Sequence, residues 1–321
     1  MNISVIIPVR NEENSIGELL ESLLKQTLKP AEIVITDGGS TDSTPRIISE
    51  YVQRGAPIRL LQEGAALPGR GRNVAAAQAT NDWLAFIDAG ITPEPNWLES
   101  LAKRAQATSD TDVVYGSYEP LTDKLYQRCS AIAYLAPPTE MEGKLVRSRS
   151  VASVLMKRNV WKTVGGFPED LRSAEDLLFM NKIDQSDFRI AYAPEALVRW
   201  QLQKSFWQTF KRFVTYARNN MRAGLWREWQ EAIFKRYALL LVSALPIFIF
   251  GPRWLLVTLL LWVSMLAARA AVGIWRNRFC YPGGVFENVA RMLVLVPLIA
   301  VLDAATFTGT LQWAVRDKLG L

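Results

Sequence analysis

The chain has 321 residues, half of them hydrophobic and 21% charged, with 37 Lys/Arg against 31 Asp/Glu for a formal charge of +6. That composition excludes a disordered or low-complexity scaffold, and the basic balance points to anionic partners such as phosphorylated ligands or a membrane surface. The absence of histidine excludes a Ser-His-Asp triad, His-ligated zinc and any imidazole base, and two distant cysteines, Cys129 and Cys280, exclude a four-cysteine metal site or a disulfide framework.

Residues 3–7 form an apolar run that meets Pro8 too soon, and with no basic residues before it, to be a signal peptide, so it reads as a buried strand. Residues 11–28 carry Ile16, Leu19, Leu20, Leu23 and Leu24 at helical spacing. A strand over 32–36, a helix over 44–52, a short strand over 58–61, a small-residue helix over 72–79 and a strand over 83–87 follow. Alternation of this kind predicts a doubly wound α/β sheet, in which ligands sit outside the carboxyl ends of the strands. Asp37 and Asp88 fall at such ends.

Composition changes near residue 200. Between Arg199 and Arg236 nine Lys/Arg face two Asp/Glu, and aromatic residues from Trp200 to Phe234 are interleaved among them. Phe206, Phe210, Phe213, Ala217 and Met221 share one helix face, which predicts a basic amphipathic helix at a membrane interface. Apolar segments follow over 237–250, over 254–268 continuing to 275, and over 292–302 resuming to about 315. The first is short for a span, and the other two carry Arg269 and Asp303. These two charges suit a mutual pair, a lipid-phosphate contact or simple interfacial placement. Basic residues flank the first two segments on the same side, which by the positive-inside rule places the N-terminal part in the cytoplasm. The predicted organisation is a domain over 1–200, interfacial helices over 201–236 and about two to three transmembrane helices over 237–321. A basic stretch that leads directly into such segments argues against nucleic acid as partner.

Five short motifs recur in order: Pro8-Val9-Arg10-Asn11-Glu12-Glu13, Asp37-Gly38-Gly39-Ser40, Gly71-Arg72-Asn73, Asp88-Ala89-Gly90, and Gly165-Gly166-Phe167 with Glu175-Asp176. An acid beside two glycines at a strand end can meet a base ring closely, which is the reading favoured for Asp37 over an Asx-turn or helix cap. Asp42, Ser43 and Thr44 read as turn and cap residues.

In this order the motifs resemble the family 2 glycosyltransferases of GT-A fold, over about residues 2–200. The resemblance implies a Rossmann-like mixed sheet. It implies that Asp37 holds a nucleobase, that Pro8, Arg10 and Glu12 line the ribose side, and that Arg72, or its competitor Arg70, faces the diphosphate or base. Asp88 stands where the family carries an Asp-x-Asp that holds Mg²⁺ or Mn²⁺ across the diphosphate, and here Gly90 replaces the second acid. Asp176, with Glu175 second, is the implied general base, since inverting transfer needs a carboxylate to take the acceptor's proton. The same acid pair also suits a helix N-terminus by its dipole. The Gln-x-x-Arg-Trp signature of processive synthases is absent, because Arg199-Trp200 precedes Gln201 and Gln203. The resemblance implies a membrane-bound, non-processive glycosyltransferase of the bacterial inner membrane, moving a sugar from a nucleotide-diphosphate donor to a lipid-linked or membrane-proximal acceptor in cell-envelope polysaccharide or glycolipid synthesis. The alternative is a non-catalytic nucleotide-sugar-binding membrane protein, with Gly90 marking lost metal chemistry.

Overall fold

The computed structural model describes residues 1–108, 110–141 and 143–320. The chain divides into two compact units, one of residues 1–121 and 138–201, the other of residues 122–137 and 202–321.

The first unit opens with β1 (Ile3–Val9), α1 (Ile16–Leu24), β2 (Glu32–Asp37), α2 (Thr44–Gln53), β3 (Ile58–Gln62), α3 (Pro68–Gln78) and β4 (Trp83–Phe86). It continues with β5 (Ile91–Pro93), α4 (Trp97–Gln106) and β6 (Val113–Leu121). After α5 (Leu125–Tyr134), which belongs to the second unit, come the β7–β8 hairpin (Thr139–Met141, Lys144–Val146), β9 (Val154–Lys157), α6 (Arg158–Thr163), α7 (Glu175–Asp184) and β10 (Ile190–Gln201). Eight strands form one mixed sheet in the order β3-β2-β1-β4-β9-β6-β10-β5. β1, β2, β3 and β4 run parallel, and β9 lies antiparallel to both its neighbours. The apolar runs of β1 and β2 are buried on both faces, as parallel strands require. Strand order reverses between β1 and β4, so the crevice between their carboxyl ends is a topological switch point.

Helix α1 is shorter than its apolar spacing predicts. Asn11 has φ 56, in the left-handed region, and the loop from Arg10 to Ser15 is held by the loop after β2 instead of continuing the helix. Helix α3 begins earlier than predicted, with Pro68 in its first turn, where a missing N–H costs nothing.

The second unit holds α5, α8 (Phe206–Arg222), α9 (Trp226–Trp229), α10 (Glu231–Ala244), α11 (Ile247–Phe250), α12 (Trp254–Arg276) and α13 (Val285–Gln312). A contiguous 1–200 domain therefore differs from the observed division. Cys129 and Ile132 of α5 pack with Leu266 and Ala270 of α12 and Leu295, Leu298 and Ile299 of α13. Among the described residues three helical stretches are long and apolar enough to cross a membrane: Glu231–Phe250, Trp254–Arg276 and Val285–Lys318. The first gains length over the predicted 237–250 because its helix starts at Glu231.

α8 is amphipathic, but its inner face is already occupied: Thr209, Val214, Ala217, Asn219 and Asn220 are buried, while Phe206 and Trp207 are exposed. A side chain at Gly309 of α13 would stand 2.4 Å from the Val214 carbonyl oxygen, so the two helix backbones touch there. Of the placements open to Arg269 and Asp303, the structure shows the mutual pair. Arg269 Nη1 and Nη2 donate to Asp303 Oδ2 (2.5 Å) and Oδ1 (3.0 Å). Tyr237 Oη adds a 3.1 Å bond to Oδ2, and Trp262 Nε1 donates to Tyr237 Oη at 3.0 Å.

Candidate active site

Two groups of residues stand at the carboxyl ends of β1, β2 and β4. The first is a web between the loops after β1 and β2. The Asp37 carboxylate accepts from Ser40 N (3.1 and 3.2 Å) and Ser40 Oγ (2.5 Å), which is the Asx-turn geometry the sequence allows. Asn11 N donates to Ser40 Oγ (2.8 Å), and Asn11 Oδ1 accepts from Thr41 N (2.8 Å). Thr44 Oγ1 accepts from Glu12 N (2.8 Å), and Asp42 Oδ1 accepts from Thr44 N (3.0 Å). Asp42 Oδ2 also accepts from Glu13 N (3.2 Å), so Asp42 caps the start of α2 and, with Thr44, ties it to the loop after β1. Asp37 is buried, Arg10 is exposed, and Pro8 and Glu12 are partly exposed. Gly38 is required for close approach, since a Cβ there would lie 2.5 Å from the Ala66 carbonyl oxygen.

The second group is built around a buried cation. Arg72 lies in α3, and its side chain is 5% exposed. Its Nη2 donates to Asp88 Oδ1 at 2.6 Å and its Nη1 to Glu175 Oε1 at 2.7 Å. The guanidinium carbon sits 5.3 Å from the centroid of the Phe167 ring, which stacks on Phe179 at 3.8 Å. Two parts of the chain meet here: α3 with the turn after β4, and the Gly165-Gly166-Phe167 loop with the start of α7. The loop is docked on α3 by Asn73, whose Oδ1 accepts from Phe167 N (2.9 Å) and Trp161 Nε1 (3.0 Å) and whose Nδ2 donates to Phe167 O (2.9 Å). Gly69 makes this docking possible, because a Cβ there would lie 2.0 Å from the Pro168 carbonyl oxygen. Ala174, just before α7, has φ 73, an uncommon conformation for a residue with a Cβ, and it delivers Glu175 into the site.

One guanidinium faces three carboxyl groups. Burial disfavours the charge on Arg72, but Asp88, Glu175 and Asp176 outweigh it and hold the group protonated. Burial first, then the neighbouring Glu175 charge, pushes the Asp176 carboxyl up to about 6 against the pull of Arg72. Glu175 Oε2 is buried without a hydrogen-bond partner. The site thus carries surplus negative charge and an unsatisfied acceptor, as expected where a ligand is to be received.

The structure accounts for Gly90 in the metal motif. It has φ +80, and a Cβ there would stand 3.5 Å from Glu12 Oε2, so an acid would combine backbone strain with like-charge proximity. Among the described residues no set of three acidic or sulfur ligands could hold a metal. The donors are hard oxygens that suit Mg²⁺ or Mn²⁺, and Asp88 keeps a second carboxylate oxygen beyond the one given to Arg72. The residues therefore fit a cation held by one carboxylate and completed by ligand phosphates and water.

Of the residues singled out in the sequence, Arg72, Asp88 and Glu175 come into direct contact, and Asp176 follows at the same helix start. Asp37 lies outside that cluster and bonds Ser40 in the loop after β2. Arg70 is outside the cluster, paired with Glu63 and Glu169. Sequence reasoning missed the docking role of Asn73 and Gly69. The signals were the Gly71-Arg72-Asn73 motif itself and the small-residue start of α3.

Residues 4–148 match the glycosyl transferase family 2 profile. The chain is 29% identical over 197 residues to the poly(ribitol-phosphate) β-N-acetylglucosaminyltransferase TarS of Staphylococcus aureus, covering 57% of this chain and 32% of that protein. It is 27% identical over 210 residues to a pre-mycofactocin glycosyltransferase of Mycobacterium tuberculosis, covering 61% and 42%. The chain thus spans well under two thirds of these relatives. The fold is similar to S. aureus TarS 1–349 in complex with UDP-GlcNAc (TM-score 0.54, 19% identity, 100% and 92% covered). It is also similar to the mannosyltransferase PcManGT of Pyrobaculum calidifontis in complex with GDP-Man and Mn²⁺ (TM-score 0.57, 20% identity, 99% and 88% covered). The profile match covers less than half of the chain, and over that part the chain is similar in sequence to the glycosyl transferase family 2 domains and in fold to solved glycosyltransferases.

Proposed function

We propose that the protein is a membrane-bound, inverting and non-processive glycosyltransferase that moves a sugar from a nucleotide-diphosphate donor to a lipid-linked or membrane-proximal acceptor. The observation that carries this reading is the gathering of Asp88, Glu175 and Asp176 around one buried guanidinium at the carboxyl ends of the sheet. The relatives that bind UDP-GlcNAc or GDP-Man support a nucleotide-sugar donor. Asp37 would bind the nucleobase, with Pro8, Arg10 and Glu12 lining the ribose. Asp88 would hold Mg²⁺ or Mn²⁺, which when bound neutralises the charge that develops on the departing diphosphate. Asp176 takes the proton from the acceptor hydroxyl as its oxygen attacks the anomeric carbon on the face opposite the diphosphate, whose bond to that carbon breaks. A carboxyl near pH 6 is close to the range in which a base both accepts and releases a proton readily. The three apolar helices and the exposed Phe206 and Trp207 support attachment to a membrane. The basic flanks of the first two segments and the supply of nucleotide sugars favour the bacterial inner membrane with the site on its cytoplasmic side. Attachment confines enzyme and acceptor to one surface, as cell-envelope polysaccharide or glycolipid synthesis requires. The test is a panel of UDP-, GDP- and dTDP-sugars with membranes that contain the protein, scored for nucleoside diphosphate release. Tight donor binding without release would favour the non-catalytic reading, to which Gly90 lends its one observation.

A further inference from the structure

From the geometry at α3 we infer that Arg72 is a positioning residue that fixes Asp88 and Glu175 relative to one another, and is not a ligand of the donor. The inference rests on the reading of the site as a glycosyl-transfer site. Arg72 spends one terminal nitrogen on each acid, at 2.6 and 2.7 Å, and the acids come from segments 16 and 103 residues away in sequence. The side chain is 5% exposed, and Nε is buried without a hydrogen-bond partner, so the guanidinium has little face to present to a diphosphate. Phe167 closes one side of it, and Asn73 of the same helix anchors the Phe167 backbone. Glu175 is as buried as Arg72. Without the cation, a buried Glu175 would stand uncompensated beside Asp176 and Asp88, and the segments that carry them would separate. A planar fork suits this bridging in a way an ammonium does not, because a point charge on a flexible stem pairs well with one acid at a time.

The experiment uses the full chain in detergent with Arg72→Lys, Arg72→Met and the double variant Arg72→Met/Glu175→Gln. UDP, GDP and dTDP are titrated by calorimetry, turnover is read at saturating donor, and unfolding is followed by thermal melts. Arg72→Lys is expected to keep nucleotide affinity within about threefold while saturating turnover drops about 100-fold, the size of effect that a small misplacement of reacting groups produces. Arg72→Met is expected to lower the unfolding midpoint, and adding Glu175→Gln to restore at least half of that loss, because the buried charge has gone from both partners. A nucleotide affinity weakened about tenfold or more in Arg72→Lys, with saturating turnover preserved, would overturn the inference and make Arg72 a donor ligand. A melt that Glu175→Gln does not recover would overturn it from the other side. If the parent protein neither binds nor turns over any nucleotide, the glycosyl-transfer reading fails by itself, while the unfolding comparison still reports whether Arg72 and Glu175 are linked.

Discussion

Each unit of this protein contains a sheltered guanidinium–carboxylate group, and the two are balanced differently. In the helical unit, Arg269 meets Asp303 two-to-two, Tyr237 supplies a further donor, and Trp262 holds Tyr237. One cation faces one anion there. In the sheet unit, one cation faces three acids, one carboxylate oxygen is unsatisfied, and one carboxyl is pushed up to about 6. The first arrangement is self-sufficient and needs no ligand, which fits a tie among α10, α12 and α13. The second is incomplete in charge and hydrogen bonding, which fits a site that receives a cation and a substrate hydroxyl. Ionisable residues between apolar helices are commonly functional, yet here the closed pair reads as structural and the open one as chemical.

Predictions follow from the open group first. Asp88→Asn should lower turnover by about 10³-fold or more, and EDTA should do the same to the parent protein, since stabilising charge on a departing diphosphate is worth several kcal/mol. Product release measured with and without chelator checks both.

Asp176→Asn should lower kcat by about 10²–10⁴-fold and leave donor affinity nearly unchanged, as read by single-turnover transfer and calorimetry. With a polyprenyl phosphate acceptor, which needs no deprotonation, the effect should shrink. The base works only when ionised, so in the parent protein turnover should fall as pH drops below about 6. Stability runs the other way. The folded carboxyl holds its proton up to about 6 whereas an unfolded one loses it near 3.8, so the fold loses stability as pH rises through that window. Asp176→Asn should therefore melt higher than the parent at pH 7, with the difference gone below about pH 4.

Much of this was legible beforehand. The first four strands follow from apolar runs, and the acidic pair from its place before Leu177, Leu178 and Phe179. The placement of residues 122–137 was not, because Cys129 and Ile132 face partners more than 130 residues away and nothing local marks them. Nor was the burial of Arg72. Arginine is almost never fully buried unless paired, and its partner Glu175 lies 103 residues on. Asp37 shows a different limit: its short-range bonds to Ser40 satisfy the turn, and any ligand role is added to them.

The web of Asp37 gives a smaller expected effect. Asp37→Ala should weaken nucleotide binding by about 1.5–3 kcal/mol, the loss of a charge-assisted hydrogen bond, and slow chemistry less. Unchanged affinity by calorimetry would remove it from the pocket.

The closed pair should matter least to chemistry. Asp303→Asn should destabilise the helical unit by about 3–5 kcal/mol in detergent melts, because it leaves Arg269 uncompensated, and leave nucleotide affinity as it was. If donor turnover collapsed while the melt stayed put, the contrast between the two groups would be wrong.

The contrast is tested most directly by nucleoside diphosphate release from UDP-, GDP- and dTDP-sugars, using membranes that carry the parent protein or Asp88→Asn. Release from one nucleotide class, dependent on Mg²⁺ or Mn²⁺ and lost in Asp88→Asn, is the expected result. Release that persists undiminished in Asp88→Asn and in EDTA, or tight binding with no release from any class, would contradict it.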